Sequence, residues 1–419
     1  MRKNLQQRLR NMGVVKGVRE LATLPSRPRV AIEDLVHGHF HTTSHGRCFV
    51  VQEHYPLDHL HGDLILSTFL DLTPTIAAQV ARDDALASVN LRRACFLDTE
   101  TTGLSGGAGT MAFVVGLGSF TEQTFCLHQY FLRDPGDEPA MIETLAKQLG
   151  QFEALISFNG IAFDVPILEN RFILARTRPP TQGLPHLDLL HPARRLWRYS
   201  LPSCRLGALE HEVLGLRREQ DDVPGGVIPL IYRDYLRTGD AREIKRILYH
   251  NAVDILSLVT LAARLCRIFD DPWTETELRG AEPYRLRGAE FYGLGRWYTN
   301  EERLADAERA YRASIKAPLP PDLRAKALHD LARLLKRADR RDEAFAYWQQ
   351  LALEATDDIL AHVELAKYLE WHVQDLPLAA GWTRAAITQV EHWFGEEHRR
   401  DTLADLRHRL ERLERKIGQ

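Results

Sequence analysis

The stretch ACFLDTE, residues 94–100, decides the fold prediction for the middle of the chain. Its first four residues are apolar, as in a buried strand, and it ends with Asp98 and Glu100. Residues two apart in a strand project from the same face, so these two carboxylates should lie side by side. Adjacent anions repel each other unless a cation lies between them, and Mg²⁺ prefers carboxylate oxygens. The alternative is a pair of exposed acids, but the small residues from Thr101 to Gly109 leave room for a polymer and favour a site.

The segments on either side of this stretch predict an α/β domain over residues 91–270. MAFVVGLGSF (111–120) and QTFCLHQYFL (123–132) look like two further strands, so the domain should open with three antiparallel strands. ALISF (154–158) predicts a fourth, buried strand. Helices are expected at 139–151, 164–175, 188–197, 206–214 and 241–267. This order of elements is typical of a mixed sheet flanked by helices.

The flanking regions differ from this middle segment. We interpret residues 1–90 as an accessory N-terminal region with a helical start. Its many histidines raise the possibility of a metal site, but their spacing matches no ligand pattern, so we interpret them as loop residues. They are His37, His39, His41, His45, His54, His59 and His61.

Residues 271–419 predict an all-α domain of helical repeats. Small and large apolar residues recur with a period of roughly 34 to 37 residues, which resembles tetratricopeptide repeats. The repeating positions are Leu294, Gly295, Tyr298, Ala307, Ala310 and Tyr311, then Leu331, Ala332, Leu335, Ala344 and Tyr347, then Leu365, Ala366, Tyr368, Ala379 and Ala380. An ordinary helical bundle with an alanine-rich core is the alternative.

The composition is that of a globular protein, 44% hydrophobic and 26% charged, with a net charge of -3. We find no apolar run long enough to span a membrane and no secretory signal, so we expect a cytoplasmic protein without membrane contact. The net charge does not favour a polyanion ligand, but one segment is locally basic. It contains the aromatic residues Trp197 and Tyr199 among Arg194, Arg195, Arg198, Arg205, Arg217 and Arg218. Its alternative interpretation is a solvated helix face.

Two further acids lie where a site could form. Asp164 follows the Asn159-Gly160 turn after the predicted fourth strand, although an aspartate there could also cap a helix. Asp254 lies in an apolar helical stretch, where burial would require a partner. His250 is four residues earlier and should share its helix face, whereas Tyr249 should point elsewhere.

These motifs, in this order, resemble the DEDD exonuclease superfamily of RNase H-like folds. The resemblance includes the bacterial YprB-type RNase H-like proteins, on the segments DTETTGLSGGAGTMAFVVGLG, DLLHPARRLWR, LPSCRLGALEHEVLG, VPGGVIP and YHNAVDILSL. It implies that metal ligands are provided by Asp98, Glu100, Asp164 and Asp254. The family orients the attacking water with a tyrosine four residues, or a histidine five residues, before the last aspartate. Here His250 and Tyr249 occupy these offsets the other way round, and we assign the role to His250.

The resemblance implies a 3'-to-5' exonuclease that hydrolyses single-stranded DNA or RNA with two Mg²⁺ or Mn²⁺ ions. Asp188 is a further acid for the rim of the site or for metal binding. We expect nucleic-acid contacts from Thr101, Asn159, Arg194, Arg195, Arg198 and Arg205, with Trp197 or Tyr199 stacking on a base. The repeats would bind a protein or peptide. The alternative functions are a catalytically inactive scaffold and an endonuclease of the RNase H or resolvase kind.

Overall fold

A computed structural model of the chain describes residues 29–103, 109–218, 222–273, 284–355, 358–392 and 396–419. The predicted helical start of the chain, in residues 1–28, lies outside these ranges. So do residues 104–108 of the small-residue run that follows Glu100.

Within the described residues, the main sheet has seven strands in the order β1-β2-β7-β6-β5-β8-β9. β5, β6 and β7 are antiparallel neighbours, as predicted, whereas β8 and β9 run parallel to β5. The mixed sheet with its flanking helices confirms the RNase H-like fold class. The strands are β1 (Gly38–Thr43), β2 (Gly46–Pro56), β3 (Leu60–His61), β4 (Leu64–Ile65), β5 (Ala94–Thr101), β6 (Ala112–Phe120), β7 (Thr124–Phe131), β8 (Ala154–Ser157) and β9 (His186–Asp188), of which β3 and β4 form a separate ladder.

Helices cover both faces of this sheet, which is why β5 is apolar at successive positions. The helices of this part are α1 (Pro74–Ala81), α2 (Glu138–Leu149), α3 (Asp164–Leu174), α4 (Leu190–Trp197), α5 (Leu206–Glu212), α6 (Ile228–Thr238) and α7 (Arg242–Asp270). α7 packs against β5, β6 and β7, and α2 packs against β2 from the other side. Phe96 belongs to the core under α7, and Cys95 and Leu97 belong to the core under α2. Asp98 and Glu100 continue the alternation that begins with Phe96.

One predicted helix begins later than expected, and the main sheet extends across residue 90. The helix predicted from Asp188 begins at Leu190, because Asp188 ends strand β9. β1 and β2 come from the segment interpreted as an accessory region, yet they pair with the main sheet. The division of the chain at residue 90 stays a prediction, and the sheet extends across it.

The C-terminal part is all-helical, as predicted. Its α-helices are α8 (Gly288–Asn300), α9 (Leu304–Lys316), α10 (Pro321–Arg337), α11 (Arg341–Glu354), α12 (Ile359–Tyr368), α13 (Leu376–Glu391) and α14 (Glu396–Ile417). Most of the predicted repeat positions are buried, among them Leu294, Leu331 and Leu365. The tetratricopeptide character of these helices stays a prediction. Among the described helices, none has the length and apolar content needed to cross a membrane.

Candidate metal centre and active site

Asp98 lies on β5 under helix α7, and the amide of Asn251 fixes its carboxylate. Asn251 Nδ2 donates to Asp98 Oδ2 at 2.8 Å, and Gln129 Nε2 donates to Asn251 Oδ1 at 2.8 Å. Gly116 on β6 permits this approach, since a Cβ there would lie 2.4 Å from Asn251 Oδ1. Asn251 and Gln129 were not predicted as site residues. The signal available for Asn251 was a polar amide three residues before Asp254 in an apolar helix.

Asp164 is the first residue of α3, and no side-chain cap bond is formed at the helix start. It therefore does not serve as the N-cap that was the alternative prediction. The Thr99 hydroxyl donates to Asp164 Oδ1 at 2.5 Å, which links α3 to β5. Asp164 is 5% exposed, so its carboxylate is almost entirely removed from water.

Asp188 is used by the turn that precedes α3. Its carboxylate accepts from the backbone N–H groups of Asn159 at 2.7 Å, Ile161 at 3.1 Å and Leu190 at 3.1 Å. Asn159 adopts a left-handed conformation with φ 66°, which the turn requires. With three N–H donors on it, Asp188 is occupied in holding the turn rather than directed at the centre.

His250, Asp254 and Glu100 converge at the edge of α7. His250 Nε2 lies 3.9 Å from Glu100 Oε1 and 3.7 Å from Asp254 Oδ2. One ligand atom from each of the three lies within 4.8 Å of the other two. Tyr249 lines a cavity of about 440 Å³ with Tyr55 and Lys245, and Arg218 also lies in the wall of this cavity. The helix therefore presents the histidine to the acids and turns the tyrosine away, as its spacing predicts.

Arg218 is a cation inside this acidic group, a position that the predicted basic patch did not suggest. Its guanidinium donates to Glu210 at 2.6 and 2.7 Å, to Asp222 at 3.2 Å and to Asp254. One positive charge is thus shared among three carboxylates. Arg218 therefore neutralises only part of the charge of the centre.

Asp222 holds the far side of the His250 ring. Its Oδ1 lies 2.7 Å from His250 Nδ1, and Arg218 Nη1 lies 2.9 Å from the same nitrogen. Asp222 can accept from a protonated Nδ1, and Arg218 Nη1 can donate to an unprotonated one. In the tautomer whose Nδ1 proton is bonded to Asp222, the lone pair of Nε2 faces Glu100 and Asp254.

Burial perturbs all four predicted ligands, and repulsion from neighbouring carboxylates adds to it. Burial, followed by repulsion from Asp254 and Asp164, raises the pKa of Asp98 well above its usual range. The same causes, with Asp98 added, raise the pKa of Glu100. Burial raises the pKa of Asp164 to about 6 and also raises that of Asp254, where Arg218 acts in the opposite direction. The charges of Asp164 and Asp254 are therefore close enough to oppose the ionisation of Asp98 and Glu100.

This donor set fits a hard divalent cation. Carboxylate oxygens are the ligands that Mg²⁺ prefers and that Mn²⁺ also accepts, and a bound cation would remove the repulsion that raises these pKa values. Glu100 and Asp254 are close enough to share one ion, and Asp98 and Asp164 lie near enough to act on them electrostatically. The residues present therefore could bind a metal.

The predicted nucleic-acid contacts have mixed surroundings. Arg194, Arg198 and Arg205 are exposed. Arg195 instead donates to the Val80 carbonyl at 3.0 Å, and burial lowers its pKa to about 10. Thr101 is buried, with its hydroxyl bonded to the Gly103 carbonyl at 2.7 Å.

The aromatic residues of the basic segment pack within the protein. Trp197 is fully buried and donates to the Tyr284 hydroxyl at 3.0 Å, so the prediction that it stacks on a base is wrong. The reason is that the apolar side of α4 packs into the core. Tyr199 packs edge-on against Tyr292 and accepts from Arg296 at 2.6 Å.

Comparison with known proteins agrees with this geometry. Residues 95–266 match the model of the RNase H superfamily, a range that contains all four carboxylates and His250. The chain is also 30% identical over 331 residues to the uncharacterized protein YprB of Bacillus subtilis (strain 168), covering 77% of this chain and 76% of that protein. An RNase H superfamily domain suggests a nuclease-type function. The chain therefore belongs to the family of YprB, with an RNase H superfamily domain over residues 95–266.

Proposed function

We propose that the chain is a metal-dependent 3'-to-5' exonuclease that hydrolyses the end of a single-stranded nucleic acid with two Mg²⁺ or Mn²⁺ ions. The observation that carries the proposal is the convergence of Asp98, Glu100, Asp164 and Asp254 beside His250. Buried carboxylates whose charges repel, as Asp98 and Glu100 are repelled by Asp164 and Asp254, are stabilised when cations bind between them. The RNase H superfamily match supports the same chemistry.

The four carboxylates would hold both ions. When bound, the ions supply a nucleophilic water at neutral pH and stabilise the leaving oxygen of an in-line displacement. Asn251 keeps the Asp98 carboxylate in place, and the Thr99 hydroxyl does the same for Asp164. Both supports come from packed elements, β5 and α7, so the oxygen positions are fixed before substrate binds.

His250 would take the proton of the attacking water. Its Nε2 faces the carboxylates, and its Nδ1 is bonded to Asp222 at 2.7 Å. A carboxylate on the far nitrogen fixes the ring orientation and stabilises the imidazolium that forms when Nε2 accepts a proton. Arg218 lies against Asp222 and Asp254 and keeps the two anions in position.

Exposed arginines would bind the phosphates of the strand that enters this centre. Arg194, Arg198 and Arg205 are the exposed cations of the predicted patch, and Thr101 and Asn159 lie on elements that border the carboxylates. The 3'-to-5' direction and the single-stranded end rest on the DEDD resemblance. Helices α8–α14 would bind a protein or peptide, in keeping with their resemblance to tetratricopeptide repeats.

Hydrolysis of 5'-labelled single-stranded DNA and RNA with Mn²⁺, Mg²⁺ or EDTA tests the proposal. The wild type should shorten the labelled strand stepwise from its 3' end, and EDTA should stop it. The double variant Asp98→Ala, Glu100→Ala should be inactive, whereas Asp234→Asn, an exposed acid on α6, should match the wild type. Early internal fragments would identify an endonuclease. Strand binding without cleavage under any condition would identify an inactive scaffold.

A further inference from the structure

Histidines of the N-terminal segment meet residues of β7 on the face of the sheet opposite the carboxylate centre. In the β2–β7 ladder, Gln52 pairs with His128 and His54 pairs with Cys126. Paired residues of an antiparallel ladder share a face, so His54, Cys126 and His128 project together. Gln129, the neighbour of His128, contacts Asn251 under α7, which places His128 on the other face.

The amide nitrogen of Gln52 contacts two side chains of this group, and Cys126 contacts the third. Gln52 Nε2 lies 3.0 Å from His54 Nε2 and 3.5 Å from Cys126 Sγ. Cys126 Sγ lies 3.7 Å from His128 Nδ1. The Gln52 amide therefore donates to the imidazole nitrogen of His54 and to the thiol of Cys126. A bound cation would contact these same two atoms.

We propose that His54, Cys126 and His128 bind a transition-metal ion of the Zn²⁺ class. Imidazole and thiolate are the ligands that Zn²⁺ and Co²⁺ prefer, and Mg²⁺ does not use them. Bond lengths of about 2.0 Å to nitrogen and about 2.3 Å to sulfur place tetrahedral N and S ligands about 3.5 Å apart. The separation of 3.7 Å between Cys126 and His128 is close to this value.

His54 completes the group when its own side chain and the Gln52 amide rotate, and both side chains are exposed. Three protein ligands leave the fourth position of a tetrahedral ion open. Two more imidazoles lie nearby on β1, where His39 Nε2 and His41 Nε2 are 3.0 Å apart.

Co²⁺ titration of the full chain, followed by its absorption spectrum, tests this site apart from nuclease activity. We expect a thiolate-to-Co²⁺ charge-transfer band that excess Mg²⁺ does not remove and Zn²⁺ does. Cys126→Ser should abolish the band, and His54→Gln, at an exposed position, should weaken Co²⁺ binding at least about tenfold. Cys204→Ser, a cysteine outside the group, and Asp98→Asn, in the carboxylate centre, should both keep the band.

The proposal is overturned if the wild type shows no charge-transfer band, if Cys126→Ser retains it, or if His54→Gln binds Co²⁺ as tightly as the wild type. Circular dichroism of each variant checks that the fold is retained. Because Cys126 is buried, His54→Gln provides the decisive result if Cys126→Ser does not fold.

Discussion

Acidic side chains are buried in two regions of the molecule, and their surroundings are opposite. In the RNase H-like part, Asp98, Glu100, Asp164 and Asp254 face one another, and the cation among them, Arg218, is shared with two further acids. In the C-terminal helices, Glu370 is bonded to three cations, Arg409 at 2.8 Å, Arg412 at 2.8 Å and Lys416 at 3.0 Å.

The direction of the pKa shift distinguishes a candidate binding site from a structural ion pair. Burial opposes ionisation of Glu370, but the hydrogen bonds from Arg412 and Lys416 outweigh it and lower its pKa. In the carboxylate centre, burial and repulsion act together and raise the pKa values. Glu370 is satisfied by the protein itself, whereas the repulsion in the carboxylate centre is only partly offset by Arg218.

The largest effect expected is on hydrolysis by Asp98→Asn. The substitution keeps the size of the side chain but removes a metal ligand, and loss of several kcal/mol of metal stabilisation corresponds to about 10³-fold in rate. The initial rate of release of the 3'-terminal nucleotide measures it. In EDTA the variant should melt no lower than the wild type, because a repelled charge has been removed. Hydrolysis by Asp98→Asn at the wild-type rate would contradict the assignment of Asp98 as a metal ligand.

Asp222→Asn should have the next largest effect. The amide cannot replace the carboxylate that orients His250, and partners of this kind contribute about 10- to 100-fold. We expect kcat to fall with little change in KM, and the pH-rate profile to shift, since His250 loses the anion beside Nδ1. The Asp234→Asn variant is the control for loss of a surface carboxylate. A KM effect alone would assign Asp222 to substrate binding.

Glu370→Gln should change stability and leave hydrolysis unchanged. The substitution leaves Arg409, Arg412 and Lys416 without the carboxylate that they share. Because two of these cations are partly exposed, the loss should lower the free energy of unfolding by about 1 to 3 kcal/mol. Thermal unfolding of the C-terminal helices measures the loss, with Glu414→Gln, an exposed acid paired with Arg384, as control. A parallel loss of nuclease activity would show that the two regions are coupled.

The smallest effect is a dependence of stability on pH whose sign differs between the regions. Asp164 has a folded-state pKa of about 6, above its unfolded value, so the unfolded state releases its proton first. Stability of the metal-free centre should therefore fall as the pH rises from roughly 4 to 6. Glu370 has a lowered pKa in the folded state, so its contribution to stability is present at neutral pH and is lost as the pH falls through that folded-state pKa.

Melting curves in EDTA across this range, for the wild type and Asp164→Asn, measure the difference. The wild type should lose more stability than Asp164→Asn as the pH rises. Mn²⁺ should reverse the loss, because its ligands must be ionised. Equal slopes for the two proteins would contradict the raised pKa of Asp164.

Local patterns allowed much of the fold and centre to be predicted. The apolar run before Asp98 predicted β5, and helical spacing placed His250, rather than Tyr249, on the side of Asp254. Both predictions rest on the periodicity of a few neighbouring residues, and one short segment of sequence is enough to show it.

Contacts between distant segments could not be predicted in the same way. Arg218 and Asp222 reach His250 from 32 and 28 residues away, and no pattern links them. Trp197 looked like an accessible ring because its neighbours are charged, but the side of α4 that carries it is buried. The interpretation of His54 as a loop residue is wrong, because it lies on β2 and pairs with Cys126 on another strand, a contact that no local spacing predicts.

Mn²⁺ binding at neutral pH, counted by electron paramagnetic resonance, tests most directly whether the carboxylate centre requires cations. We predict two ions bound per wild-type chain and by Glu370→Gln, and loss of this binding in the double variant Asp98→Asn, Glu100→Gln. A wild type that binds no Mn²⁺, or a double variant that binds as much as the wild type, would contradict the metal centre.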